Sequence, residues 1–413
     1  MRIILIIGTR PEAIKCFPLV EALKEREGIE VLVCITGQHR EILDDAMQVL
    51  GMTSDFDLRI MRPAPTLADI TCDVLEGVGD VLKNARADLM LVQGDTTTAM
   101  ASSLAAFYAG VPLGHVEAGL LTGTKYSPYP EEMNRRMVSL LADLHFAPTP
   151  TARANLLRAN VPADHIHVTG NTVIDTLLAA KGRLEATGHV SPAIEPVLEA
   201  IGDSGRRLIL VTAHRRENWG EGIDHICEAV KRLADRGDVH IALPVHPNPK
   251  VSDPIHGALA GRPEITLLEP LDYVSFVDLM RRSHIVLTDS GGVQEEAPVL
   301  GKPVLVLRDT TERPEGIEAG AARLVGLDAT RMVAEAERLL DSDAAYQSMS
   351  RHQFLYGDGK ASQRIVDIIA ARGAHHPTGS REQSAPRGRT RVHERELHAA
   401  LGSSASATLN DAY

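Results

Sequence analysis

The 413-residue chain carries a formal net charge of −12, with 44% hydrophobic and only 3% aromatic residues. The surplus of acid disfavours binding to phosphate backbones, and so few rings leave no stacking platform for single-stranded nucleic acid. The length exceeds what one hydrophobic core usually serves, so two domains are expected, and the apolar content suffices to fill both.

In chain order, residues 3–7 form an apolar run too short for a secretory signal and read as a buried strand. A helix over 12–26, a strand over 30–36 and a helix from His39 follow. Then come a strand over 89–93, a helix over 96–108, a strand over 113–117 and a helix over 131–142. An Ala-rich, Pro-containing stretch over 181–205 interrupts the pattern. It restarts with a strand over 207–212, a helix over 221–235, strands over 240–245 and 266–268, a helix over 273–282, a strand over 285–288, a helix over 294–300 and a strand over 303–307. Such alternation specifies parallel sheets covered on both faces.

The expected class is therefore α/β, with two Rossmann-like doubly wound parallel-sheet domains facing a central cleft. This arrangement resembles the GT-B build of two-domain nucleotide-sugar glycosyltransferases. The expected layout is an N-terminal domain over 1–170, a C-terminal nucleotide-binding domain over 171–350, a C-terminal helix over 351–371 packing back on the N-terminal domain, and a disordered tail over 372–413. The tail holds six arginines against four acids and reads as a solvated appendage.

No apolar run approaches the roughly 18 residues that a membrane span needs. Cys16, Cys34, Cys72 and Cys227 are scattered, without metal-ligand spacing or reason for a disulfide. A soluble protein of the reducing cytoplasm is expected, with no metal site.

In open α/β folds, ligands gather at the carboxyl ends of the strands. Three acids of the first domain lie just past such ends: Asp95 in Gly94-Asp95-Thr96, Glu117 in His115-Val116-Glu117-Ala118-Gly119, and Glu131 behind Tyr129-Pro130. Asp95 would otherwise serve as a helix N-cap, and Glu131 as a first-turn acid complementing the helix dipole.

In the second domain, Asp289-Ser290-Gly291-Gly292 follows a strand and opens a helix, so its free N–H groups suit a phosphate. Glu296, about one turn further, can accept hydrogen bonds from a ribose diol. Arg10 and Lys15 at the first strand end, and Arg313 in Thr311-Glu312-Arg313-Pro314, are cations able to reach a diphosphate. His214 and His246 each follow a strand of the second domain and could meet phosphate or sugar, or serve as hydrogen-bonded structural histidines. Neither opening strand leads into Gly-x-Gly-x-x-Gly, so no nicotinamide cofactor is indicated, and no cofactor is expected.

Together, Gly8-Thr9-Arg10-Pro11-Glu12-Ala13, Gly37-Gln38-His39-Arg40-Glu41, Gln93-Gly94-Asp95-Thr96, the segment from Glu117 to Arg135, Thr212-Ala213-His214-Arg215-Arg216-Glu217-Asn218, Asp289-Ser290-Gly291-Gly292 and Gly357-Asp358-Gly359-Lys360-Ala361-Ser362 resemble the non-hydrolysing UDP-N-acetylglucosamine 2-epimerases. The resemblance covers nearly all of residues 1–370. It implies interconversion of UDP-N-acetylglucosamine and UDP-N-acetylmannosamine by anti elimination of UDP to 2-acetamidoglucal, followed by re-addition.

In that scheme Asp95, Glu117, Glu131 and His214 are catalytic, and the assignment of the base among the three acids stays open. Arg10, Lys15, Ser290, Gly291, Gly292, Glu296 and Arg313 bind substrate. The resemblance further implies a homodimer, and a second UDP-N-acetylglucosamine acting as allosteric activator at Gln38, His39 and His246. One departure stands out: the family's Glu-Ala-Gly-Leu-Arg-Thr reads Glu117-Ala118-Gly119-Leu120-Leu121-Thr122 here. The missing cation points to reduced regulation rather than lost catalysis, unless Lys125 substitutes. Alternative readings are a 2-epimerase for a related UDP-sugar such as the 2,3-diacetamido one, a hydrolysing 2-epimerase, a GT-B glycosyltransferase, and a catalytically silent sensor.

Overall fold

Strands buried on both faces need near-continuous apolar runs, and Ile3-Ile4-Leu5-Ile6-Ile7 and Leu208-Ile209-Leu210-Val211 supply them at the start of each half. A computed structural model describes residues 1–37, 40–60, 65–202 and 204–375. Among these, a first parallel sheet contains β1 (Arg2–Ile7), β2 (Glu30–Ile35), β3 (Phe56–Asp57), β4 (Leu89–Gln93), β5 (Leu113–Val116), β6 (Leu144–Ala147) and β7 (Ile166–Val168), in the order β3-β2-β1-β4-β5-β6-β7. A second parallel sheet contains β8 (Arg207–Thr212), β9 (Val239–Pro244), β10 (Ile265–Leu268), β11 (Ile285–Thr288), β12 (Val304–Val306) and β13 (Ala322–Leu324), in the order β10-β9-β8-β11-β12-β13. The strand order reverses between β1 and β4 and again between β8 and β11. Those are the switch points at which crevices open.

Alternate residues of each central strand serve opposite cores. Ile3, Leu5 and Ile7 pack with Leu19, Leu23, Ile365, Val366 and Ile369, whereas Ile4 and Ile6 pack with Val74, Val78, Ala101 and Ala105. Ile209 and Val211 join Ile226 and Val230, whereas Leu208 and Leu210 join Ile174, Leu177 and Val277.

The chain passes between the halves twice, after β7 and again near Tyr356. At Gly170, φ +88°, an added Cβ would lie 3.1 Å from Gly357 Cα; one at Gly357, φ +153°, would lie 3.2 Å from the Asn171 backbone. The two crossings therefore run backbone against backbone, which only glycine allows. The helix Thr172–Thr187 that follows is also tied to the first domain, because Thr176 Oγ1 donates to the Ile14 carbonyl at 2.7 Å.

The alternation read from the sequence matches the sheets, with differences. The 181–205 stretch is no plain linker: it contains the end of helix Thr172–Thr187 and the helix Glu195–Ile201. The short strands β3, β6, β7 and β13 and the helix Leu67–Ala85 had no counterpart in that reading. The last helix, Ala361–His375, takes in the first residues of the expected tail; residues 376–413 lie outside the described ones. No helix among the described residues is long and apolar enough to cross a membrane.

Candidate active site

Each acid is aimed by the backbone that carries it. Gly94, φ +73°, turns the chain out of β4, and the His115 Nε2–H of β5 donates to its carbonyl at 2.7 Å, fixing the turn before Asp95. The N-cap of the helix Thr97–Ala109 is Thr96, whose Oγ1 accepts from Ala99 N–H, so Asp95 is not the cap and its carboxylate is left for the cleft. Glu117 ends β5 at φ +66°, a conformation few residues other than glycine adopt and one that clusters at functional sites. Gly119 behind it cannot be replaced without collision, since an added Cβ would stand 2.3 Å from the Ala152 carbonyl oxygen. Glu131 opens the helix Glu131–Leu141.

Arg135, one turn beyond Glu131 on the same helix, gathers these groups. Its guanidinium lies 2.6 Å from Asp95 Oδ2 and 3.2 Å from Glu117 Oε1, and also donates to the Glu117 carbonyl. Lys15 Nζ stands 2.5 Å from Glu117 Oε2. Burial alone would raise the Glu117 carboxyl, but Lys15, Arg135 and Arg313 outweigh it and hold the group below the usual carboxylate range. Glu131 is pushed the other way, by burial and then by the neighbouring Asp95, with Arg215 and Arg216 opposing. One acid held ionised beside one biased toward its protonated form is an arrangement for acid–base work.

Behind the acids, Glu12 is almost fully buried. Its Oε2 accepts from Gly8 N–H at 2.8 Å and Thr9 Oγ1 at 2.9 Å, and its Oε1 from Thr96 Oγ1 at 2.6 Å, so it ties the ends of β1 and β4 together across the switch point. Glu132, also buried, accepts from Thr122 and Gly123 N–H and pairs with Arg136, which fixes the loop before the helix. Leu121 is half-buried in that loop. Lys125 is exposed, with its Nζ 5.3 Å from the Tyr126 ring centre.

The second domain completes the cleft. The helix Gly291–Val299, with Ser290 at its N-cap, starts three residues earlier than the sequence pattern suggested, because its first two residues are glycine and carry no apolar periodicity. Ser290 makes no side-chain cap. Arg313 packs on this start so tightly that a Cβ at Gly291 would lie 2.4 Å from its Nη1. Arg313 Nε stands 2.6 Å from Glu295 Oε1, and Nη1 pairs with Glu312, which in turn pairs with Arg308 at 2.8 Å. Arg313 and Lys15 are therefore both carboxylate-bound here rather than free cations.

Glu296 is buried, accepts from the Tyr273 hydroxyl at 2.6 Å, and is pushed up to about 7 by burial. Asp289 Oδ2 receives the backbone N–H groups of His214 and Arg215 and the Asn218 amide, each at 2.9 Å, while its Oδ1 lies 3.2 Å from His214 Nδ1. Desolvation, helped by Arg215 and Arg10, lowers the His214 imidazole against the pull of Asp289. The His214 and His246 rings stack with centres 6.0 Å apart.

The two halves meet at these residues. Asn171 Nδ2 donates to Glu117 Oε2 at 2.9 Å and to Glu295 Oε2 at 2.6 Å, and Arg10 Nη1 reaches the Leu271 carbonyl at 3.3 Å. Asp95, Arg135, Glu117 and Lys15 of the first half are thus joined through Asn171 to Glu295, Arg313 and the Gly291 turn of the second. Gln38 and His39 lie outside the described residues.

Sequence reasoning missed Glu12, Arg135, Asn171, Tyr273, Asp289 and Glu295. Arg135 had a readable signal, four residues after Glu131 on the same helix face, and Asp289 stood at a strand end beside the glycines. Asn171 and Glu295 had none, because only the packing of the two domains brings them together.

A family model described as UDP-N-acetylglucosamine 2-epimerase matches residues 21–370. A probable UDP-N-acetylglucosamine 2-epimerase of Ralstonia solanacearum is 50% identical over 372 residues, 90% of this chain and 99% of that protein. The UDP-N-acetylglucosamine 2-epimerase of Escherichia coli is 48% identical over 89% of this chain and 98% of its own length. The crystal structure of the Neisseria meningitidis UDP-GlcNAc 2-epimerase bound to UDP-GlcNAc superposes with a TM-score of 0.85 at 44% identity, covering 90% of this chain and all of that one. On these grounds the chain belongs to the UDP-N-acetylglucosamine 2-epimerase family.

Proposed function

We propose that the protein is a non-hydrolysing 2-epimerase that interconverts UDP-N-acetylglucosamine and UDP-N-acetylmannosamine. The observation that carries this reading is the convergence of Asp95 and Glu117 on Arg135, with Glu131 set against Asp95, joined through Asn171 to the Glu295–Arg313 pair beside a glycine-lined helix start. The hydrogen on sugar carbon 2 has no adjacent carbonyl to acidify it, so simple deprotonation is disfavoured. The reaction runs as an anti elimination. A carboxylate takes the proton, the C–H electron pair becomes the carbon 1–carbon 2 double bond, and the carbon 1–oxygen bond breaks with its pair leaving on UDP. Return of the UDP oxygen to carbon 1, with a proton delivered to the other face of carbon 2, gives the epimer.

Two of the three acids act from opposite faces of carbon 2, one as a carboxylate that takes the proton and one that gives a proton back; Glu131, biased toward its protonated form, gives it. Of Asp95 and Glu117, one takes the proton and the other stabilises the oxocarbenium-like transition state. Arg10, Lys15, Arg313 and the N–H groups of Ser290, Gly291 and Gly292 stabilise the departing diphosphate, with His214 reaching it. Lys15 and Arg313 must exchange carboxylate for phosphate oxygens as substrate binds. Glu296 accepts from the ribose. The enzyme acts in the cytoplasm as a homodimer, and a second UDP-N-acetylglucosamine activates it at His246 with Gln38 and His39. Leucine at 121 weakens that activation. A hyperbolic substrate curve in the reverse direction without added UDP-N-acetylglucosamine would remove the activation from the proposal.

Incubation with UDP-N-acetylglucosamine in deuterated water, followed by proton NMR, tests the reading. Deuterium at carbon 2 with the UDP linkage retained is expected. Free N-acetylmannosamine would indicate a hydrolysing enzyme, and absence of label with intact UDP binding would indicate a sensor.

A further inference from the structure

Asn171 has a geometry that the reaction scheme above does not use. It is 1% exposed, it immediately follows Gly170 at the tight crossing between the domains, and its backbone N–H donates to the Tyr356 carbonyl of the returning strand at 2.6 Å. Its single amide nitrogen reaches a carboxylate of the first domain, Glu117 Oε2 at 2.9 Å, and one of the second, Glu295 Oε2 at 2.6 Å. A neutral NH2 has two hydrogens and can satisfy both acids at once. A carboxylate in its place would face two like charges, and an alkyl group would leave buried oxygens short of a donor.

Building on the epimerase reading, we propose that Asn171 is a positioning residue for Glu117. It fixes the carboxylate of one domain against Glu295 of the other at the point where the chain crosses between them. Arg313 of the second domain acts on Glu117 electrostatically; Lys15 and Arg135 pair with it directly, but both belong to the first domain and cannot register it against the second. Glu295 can, since it is itself held by Arg313, which packs on the Gly291 turn. The chain Glu117–Asn171–Glu295–Arg313 thus links the acid to the wall proposed to hold the diphosphate. Among the described residues Asn171 hydrogen-bonds to that wall through Glu295 alone, so its loss should fall on turnover rather than on nucleotide affinity.

The test measures kcat and KM for UDP-N-acetylglucosamine, carbon 2 deuterium incorporation and UDP affinity for the wild type, N171S, N171D, E295Q and the double variant N171D/E295Q. Misplacement of a reacting group by about 1 Å can lower the rate about 100-fold, and N171D should show a loss of that order in kcat with KM and UDP affinity within about threefold. N171S, a smaller change that folds more readily, should lose kcat in the same direction. The double variant exchanges amide and carboxylate across the 171–295 contact but leaves a carboxylate at position 171 against Glu117, so its kcat should stay within about threefold of N171D. Wild-type kcat in N171S and N171D overturns the proposal, as does a double variant restored to wild-type kcat, since residue 171 would then not need to hold Glu117. Wild-type protein that incorporates no deuterium overturns the epimerase reading itself, which separates the two failures.

Discussion

The Tyr273 hydroxyl donates to Glu296 Oε1 at 2.6 Å, at a carboxyl that burial raises to about 7. Tyr273 is the leading group pulling that value back down. In the free protein, Glu296 loses its proton as pH rises through about 7, and only the ionised form accepts hydrogen bonds through both oxygens. UDP affinity should therefore strengthen from pH 6 to pH 8. Y273F should move the midpoint of that change upward. Titration calorimetry of both proteins checks this, because the titration of UDP itself cancels in the comparison.

Gly291 and Arg313 leave no room for a methyl group, and Arg313 is held in place by Glu295 and Glu312. G291A should push the guanidinium aside and disturb the N–H groups at the helix start. A weakening of UDP binding by about tenfold, equivalent to about 1.4 kcal/mol, is expected with little change in thermal midpoint. Unchanged UDP affinity would show that the turn does not hold the diphosphate.

His115 is fully buried, and burial, then Arg135 and His145, push its imidazole down to about 3. The folded state binds this proton less readily than the unfolded chain, whose value is about 6.5. The contribution is complete above about pH 6.5 and is lost as pH falls from there toward about 3, at up to about 1.4 kcal/mol per pH unit. H115Q can still donate to the Gly94 carbonyl but does not titrate. Urea unfolding between pH 5 and 8 should give a shallower loss of stability with acid for H115Q than for the wild type; parallel curves would contradict this.

Glu12 accepts three hydrogen bonds at the junction of β1 and β4. E12Q keeps the shape but exchanges one acceptor oxygen for a donor, so one of the three contacts is lost or reversed. Destabilisation of about 1–3 kcal/mol is expected, together with a fall in kcat, because Thr96 follows Asp95 directly. Denaturant titration and steady-state kinetics read the two effects. A fall in stability with kcat unchanged would confine Glu12 to the scaffold.

The central strands and the acids at their ends were legible in the sequence because a strand buried on both faces is mostly apolar, and its carboxyl end is where a charged residue first becomes tolerable. Leu89–Gln93 and Leu113–Val116 announce Asp95 and Glu117 for that reason. The edge strands β3 and β13 were not legible, since two or three residues carry too little pattern to separate from loop. Helix Leu67–Ala85 was missed although Thr66 and Asp69 form a reciprocal capping box, a local signal that the apolar period alone does not weigh. The partners of the site acids were hidden for a different reason: Arg135, Asn171 and Glu295 derive their roles from distances across the fold, which spacing along one chain does not encode.

Ile365, Val366 and Ile369 of the last described helix share a core with Ile3, Leu5 and Ile7 of the first strand. The interior of the half made first is therefore completed by a helix made after the whole of the second half, which lies between the two crossings. Removal of the 361–375 helix would expose apolar surface on the first strand, far away along the sequence.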